Sequence, residues 1–256
     1  MSRKSKTGKR LETMTWKQAE TALRACKVIL IPLGARLKEH GPHLPLNNDW
    51  VMAEYLTRRV VQECDVLAIP TLEHGFYPAF VEYPGSIHIG LETARDYLMD
   101  ICRSLARFGP KKFYVLNTGV STIRMLAAAR ELLVKDGIKL EYSDMRLVGA
   151  RARNSVRESK GGTHADELET SVMLYIAPKI VNMKAAKKDF HDHAPDGVLT
   201  RIAKNKNATY SPTGTWGDPT LATRAKGKLI TEDMVKDLVG SVKGFMKGTK
   251  RLKTTL

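Results

Sequence analysis

Three short apolar runs, each followed by a stretch of different periodicity, constrain the fold of this 256-residue chain more than anything else in it. Val28-Ile29-Leu30-Ile31-Pro32-Leu33-Gly34 is apolar throughout, Val66-Leu67-Ala68-Ile69-Pro70 has the same character, and Lys112 to Leu116 is a third run. Continuous apolar runs of this length predict strands covered on both faces. Behind them, Asp49 to Cys64 carries Val51, Tyr55, Leu56 and Val60 at helical spacing. Glu92 to Phe108 reads as an amphipathic helix stopped by Gly109-Pro110, and Asn117-Thr118-Gly119 turns into a helix from about Ser121 to Lys135. One or two further strands are expected within Ile138 to Val148, a helix over His164 to Ile176, and a final helix from Thr231, with Thr231-Glu232-Asp233 as its capping turn. Alternating strands and helices predict an α/β fold with a mostly parallel sheet and helices on both faces. In such sheets the ligand site lies beyond the carboxyl ends of the strands.

A hydrophobic content of 43% supports a sizeable core, organised as one domain over residues 13–242 with basic tails at 1–12 and 243–256. The net charge of +15 points to nucleic acid until it is located. Ten of the Lys and Arg residues lie in 1–10 and 241–256 without an acid among them; removing those ten brings +15 down to +5 for the rest. With no nucleic-acid-binding motif present, a nucleic-acid partner is not expected; tails that did bind a polyanion would do so salt-sensitively. No run of 18 apolar residues appears and no apolar stretch follows the N-terminal charges, so neither a membrane span nor a secretory signal is expected. Cys26, Cys64 and Cys102, odd in number and far apart, read as reduced thiols of a cytoplasmic protein.

Chemistry concentrates in three segments. Glu39-His40-Gly41-Pro42-His43-Leu44-Pro45, with Asp49 beyond, gathers imidazoles and carboxylates directly after a buried strand, a donor set suited to zinc, manganese or iron. The alternative is a polar surface loop whose histidines face water. Gly161 to Ser171 brings His164, Glu167 and Glu169 within reach of one cavity if Thr163 caps the helix, although Asp166 and Glu167 are also what a helix N-terminus attracts. Thr213 to Thr220 places Trp216 and Asp218 in a loop that either covers a ligand or packs as a turn. His191 and His193 are ligand candidates that read better as solvent-facing, and Tyr83-Pro84-Gly85-Ser86 with His88 is ambiguous.

Taken in order, these segments resemble the creatininase (creatinine amidohydrolase) family from about Thr15 to Val242. Ile31-Pro32-Leu33-Gly34 with His40-Gly41-Pro42-His43-Leu44-Pro45 and Asp49 is similar to the family's first metal segment, and Tyr83-Pro84-Gly85-Ser86 to its FPGT turn. His164 to Ser171 is similar to its H-x4-ETS segment, and Trp216-Gly217-Asp218-Pro219-Thr220, Ala222-Thr223 and Gly227 to its WGDPxxAT stretch. The resemblance implies a Rossmann-like three-layer sandwich, a homo-oligomer, often a hexamer, and a site of two divalent ions sharing one aspartate. By position, Asp49 is then the shared ligand, His40 and Glu169 ligands of one ion, and His164 the group that protonates the leaving nitrogen. His43, Gly119, Tyr83, Trp216 and Asp218 fall on the substrate side.

Two departures fall on the other ion. The family's E-x-H-G glutamate is replaced by Lys38, with a carboxylate one place along at Glu39; its N-G-H histidine is replaced by Gly119. The expectation is therefore one divalent ion per subunit, zinc first, with manganese or iron as alternatives, held by His40, Asp49 and Glu169 with a position left open. Hydroxide on that ion attacks a small cyclic or linear amide, with His164 as proton donor. Lys38 either stands in for the missing charge and steadies an oxyanion, or swings to solvent; Glu39 is a ligand or a general base. The competing reading is a non-catalytic member of the same fold that binds a metal or ligand.

Overall fold

The computed structural model describes residues 8–190, 198–205 and 207–248; His191 and His193 lie outside them. The sheet contains β1 (Lys9–Arg10), β2 (Ile29–Leu33), β3 (Leu67–Ala68), β4 (Lys112–Asn117) and β5 (Lys139–Tyr142), all parallel, in the order β1-β3-β2-β4-β5. Side chains of the two longest strands alternate between two cores. Ile29, Ile31, Leu33, Phe113 and Val115 meet α3 (Leu91–Ala106) and α4 (Ile123–Leu133) on one face. Leu30, Tyr114 and Leu116 meet α2 (Asn48–Glu63), α6 (Glu167–Ile176) and α7 (Arg224–Lys247) on the other. This is the expected α/β sandwich, and its apolar runs are continuous because both faces are covered. The remaining helices are α1 (Trp16–Ala25) and α5 (Ala150–Val156); β6 (Leu199–Thr200) and β7 (Thr209–Tyr210) make a separate parallel pair. No helix among the described residues is long and apolar enough to cross a membrane. The three cysteines are unpaired, and burial pushes the Cys64 thiol up to about 11 and that of Cys102 up to about 12, which keeps them unreactive.

Two sequence expectations need correction. Lys9 and Arg10 belong to the sheet rather than to a tail: the Lys9 N–H donates to the Val66 carbonyl (2.9 Å), and Arg10 pairs with Glu54 (2.8 Å). An edge strand asks only for backbone partners, so charged side chains do not exclude it. The last helix starts at Arg224, seven residues before Thr231 and capped by the Thr223 hydroxyl, and it runs to Lys247, into the stretch read as a tail. Ile138 to Val148, expected to hold one or two strands, contributes one.

The early start of α7 depends on Gly227. A Cβ there would collide with the backbone carbonyl of Ser171 on α6, so the two helices cross at main-chain contact. Alanine normally favours a helix by about 1 kcal/mol over glycine. Here the backbone clash outweighs that gain, and Gly227→Ala is expected to lower stability by roughly 1–3 kcal/mol. An unchanged or higher urea midpoint would contradict the close crossing.

Candidate active site

The loop from Gly34 to Asn47 joins β2 to α2 and projects from the carboxyl end of the sheet. His40 is fully buried at its centre. Its Nδ1 lies 2.8 Å from the Lys38 carbonyl oxygen; a carbonyl only accepts, so Nδ1 carries a proton and Nε2 is the nitrogen turned to the site. Nε2 meets Asp49 Oδ1 at 3.0 Å and Glu169 Oε1 at 3.5 Å. A ring nitrogen facing two carboxylates needs a cation between them, either a proton on Nε2 or a metal ion. Glu169 is held for that purpose: Asn48 Nδ2 donates to Oε1 (2.9 Å) and the Ala165 N–H to Oε2 (2.7 Å). Ala165 reaches it with φ 47°, the one non-glycine position with positive φ among the described residues, and that strain sits at the site. Donor atoms of His40, His164 and Glu169 lie within 4.8 Å of one another. The compact triplet thus contains His164 where the sequence reading put Asp49.

Asp49 has a different companion. Lys38 turns inward, only 6% exposed, with Nζ 2.5 Å from Asp49 Oδ2 and 4.9 Å from the centre of the Phe80 ring. The solvent-facing alternative for Lys38 is therefore excluded. The contact is an ion pair, not a well-aligned hydrogen bond. Burial alone would raise the Asp49 pKa; the charges of Lys38 and His40 overcome it and hold the group well below the ordinary carboxylate range. The loop after β4 is locked by Asn117, which bonds Gly119 through both side-chain atoms and accepts from Thr122 (2.7 Å). It presents Thr118, Gly119, Val120 and Ser121 to the cavity and no imidazole or carboxylate.

His164 enters from the other side, its backbone bridged to Trp216 and its ring 4.3 Å from that of Phe80 and 4.9 Å from that of His40. Nε2 is 2.9 Å from the Glu39 carbonyl and 3.0 Å from Glu39 Oε2; both are acceptors, so Nε2 carries a proton. Burial opposes the charged ring, yet the charge and hydrogen bond of Glu39, with Glu169 beyond, raise the His164 pKa above its ordinary value. Glu39 also accepts from the Gly41 N–H, and a Cβ on Gly214 would occupy its carboxylate's place. Glu39 is thus engaged with the His164 ring and the Gly41 N–H, an arrangement that orients His164.

A cavity of about 710 Å³ opens over these groups, walled by Lys38, Phe80, Gly119, Glu169 and Trp216. Of the residues placed on the substrate side, Gly119 and Trp216 line it; His43, Tyr83 and Asp218 do not. His43 Nε2 is bonded to Thr170 Oγ1 (2.8 Å), tying the loop to α6, and burial lowers its pKa to about 4. Tyr83 donates to the Ser211 carbonyl (2.7 Å), and Asp218 caps a turn through the Thr220 N–H (3.1 Å). Asp166, not Thr163, caps α6, accepting from the Leu168 and Glu169 N–H groups at 3.0 Å. Glu167 does more than face a helix dipole: it accepts from the Ser159 N–H (2.8 Å) and pairs with Lys226 (2.7 Å). Sequence reasoning missed Phe80 and a wall of arginines, Arg124, Arg146, Arg153 and Arg157. Of the last three only Arg153 lies in α5; Arg146 precedes the helix and Arg157 follows it.

A family model described as creatinine amidohydrolase matches residues 12–242. The chain is 32% identical over 231 residues to the mycofactocin precursor peptide peptidase of Mycobacterium ulcerans (strain Agy99), covering 86% of each. It is 26% identical over 251 residues to the creatinine amidohydrolase of Pseudomonas putida, covering 90% of this chain and 94% of that one. The solved structure of a manganese creatininase superposes with a TM-score of 0.78 at 24% identity, covering 93% of this chain and 98% of the other.

Proposed function

This chain belongs to the creatininase family of amide-bond hydrolases, and from that premise we propose a one-ion hydrolase of small amides, with His40 and Glu169 as ligands and Asp49 alongside. The observation that carries the reading is the convergence of His40 Nε2, Asp49 Oδ1 and Glu169 Oε1 within 3.5 Å of the imidazole nitrogen, a donor set that a cation would complete. Zinc suits this mixed nitrogen and oxygen set best, with manganese next. A divalent ion held there lowers the pKa of bound water towards neutrality and polarises the amide carbonyl.

The chain's own residues supply the rest. Lys38 neutralises Asp49 from the side where relatives of the two-ion pattern have further ligands, and its ammonium adds positive charge beside a developing oxyanion. Glu39 fixes the His164 ring and favours its protonated form, so His164 delivers a proton to the departing nitrogen. Phe80 and Trp216 give the cavity apolar surface beside the reacting groups. The named relatives act on a precursor peptide and on creatinine; a cavity of 710 Å³ has room for a dipeptide-sized ligand, and a peptide or acylamino amide is the substrate class we favour. Self-association, as expected from the resemblance, and a cytoplasmic location belong to the same proposal.

Protein stripped with a chelator and reloaded with zinc or manganese tests it, with amine release measured from a dipeptide, an N-formyl amino acid and creatinine. Activity is expected to vanish on stripping and return with the ion. Full activity in the stripped protein would overturn the reading.

A further inference from the structure

The cavity has two chemically different walls. One carries Asp49, His164 and Glu169 of the site described above; the other carries guanidinium groups of Arg124, Arg146, Arg153 and Arg157. The acids that share the cavity are already engaged. Asp49 is held by Lys38, and Glu169 by Asn48 and the Ala165 N–H. Asp166 caps α6 and takes Arg157 at 3.5 Å. Arg146 is also neutralised, by Asp144 at 2.6 Å.

Arg153 is different. Its one hydrogen bond among the described residues goes from Nη2 to the Arg146 carbonyl (2.7 Å), while Nε is buried without a partner. Burial, followed by the charge of Arg157, works against its cationic form; the distant Asp166, Asp144 and Asp237 offset this only in part, and its pKa is lowered. Arg124 stands on the same cavity, its guanidinium stacked over the Phe76 ring at 5.3 Å rather than on an acid. A half-buried guanidinium that lines an open cavity with no carboxylate in contact among the described residues lacks an anion, and its fork matches a carboxylate in two-point contact.

We propose that Arg153, supported by Arg124, binds a carboxylate of the substrate, so that the preferred substrates are amides bearing a free carboxylate near the scissile bond: N-acyl amino acids or short peptides with a free C-terminus. The inference rests on the amide-hydrolase reading for its catalytic consequence, but the binding site stands without it. Arg153 lines the same cavity as His164 and Glu169, so one small ligand can meet both the guanidinium and the site. A neutral amide of the same shape fills the same space and leaves the guanidinium unpaired, which is where the discrimination arises.

Binding of N-acetylalanine and of its uncharged amide to the full chain, followed by calorimetry, tests the site independently of turnover, with inorganic phosphate as a third probe. N-acetylalanine is expected to bind about tenfold or more tightly than its amide. Arg153→Gln should abolish the difference, Arg153→Lys should retain part of it, and Arg124→Gln, an exposed change that does not threaten the core, should reduce it. Equal binding of the two acetylalanines, or a difference untouched in Arg153→Gln and Arg124→Gln, would overturn the proposal. So would phosphate binding with N-acetylalanine excluded, since the anion would then not be a carboxylate. If these binding results hold but neither an N-acyl amino acid nor a dipeptide is cleaved, the catalytic reading fails and the carboxylate site stands.

Discussion

Replacing Lys38 by methionine is expected to cost about 3–5 kcal/mol of stability, the largest loss of any single substitution at this site. Asp49 is 1% exposed on α2, and Lys38 is its nearest positive charge at 2.5 Å. Methionine keeps the volume and removes the charge, leaving a buried carboxylate whose other oxygen faces His40. For a chain of this size the loss corresponds to a fall in Tm of roughly 10 °C. The same geometry predicts how the loss is repaired. Lys38→Glu together with Gly119→His returns a carboxylate and an imidazole to the positions where the family pattern has them, and the double variant is expected to hold a second divalent ion. Elemental analysis checks this: no added metal would show that Lys38 and Gly119 do not stand where a second ion would sit. Thermal unfolding of Lys38→Met without any loss would mean that the ion pair contributes nothing.

Replacing His164 by glutamine is expected to lower turnover by about 10²–10⁴-fold, the range lost with a positioned acid or base. Its metal content should be unchanged if His40 and Glu169 are the ligands. Because the donor atoms of all three residues lie within 4.8 Å, this variant separates the roles. Loss of metal together with activity would make His164 a ligand, and normal turnover would remove it from the chemistry. Glu39→Gln, which keeps the hydrogen bond to His164 but removes the charge, should fall between His164→Gln and the unaltered enzyme.

The sheet was legible because its central strands are covered on both faces, which leaves unbroken apolar runs such as Val28 to Leu33. The two-residue β1 left no such trace, since Lys9 and Arg10 enter the sheet by backbone pairing alone. The first helix did carry a sign, the capping box of Thr15 and Gln18, which the reading passed over. Thr231 suggested a helix start because Gly227 looks like a break; the reason for a glycine there exists only once α6 is packed against it.

In the site, His40, Asp49 and Glu169 were legible from motif order. The inward turn of Lys38 was one of two readings, decided by the burial of Asp49 and by the Phe80 ring beside the ammonium. The pairing of Glu39 with His164 spans 125 residues, and no local pattern announces a contact of that range. The arginine wall was hidden for another reason. In a basic sequence, four more guanidinium groups do not stand out until three of them are seen to share a cavity with Arg153 unpaired.

The metal content of the purified full chain, measured beside that of His40→Ala, tests the central claim most directly. The account predicts close to one equivalent of zinc or manganese in the parent protein and none in His40→Ala. An active parent protein free of divalent metal, or a His40→Ala variant with undiminished metal, would contradict it.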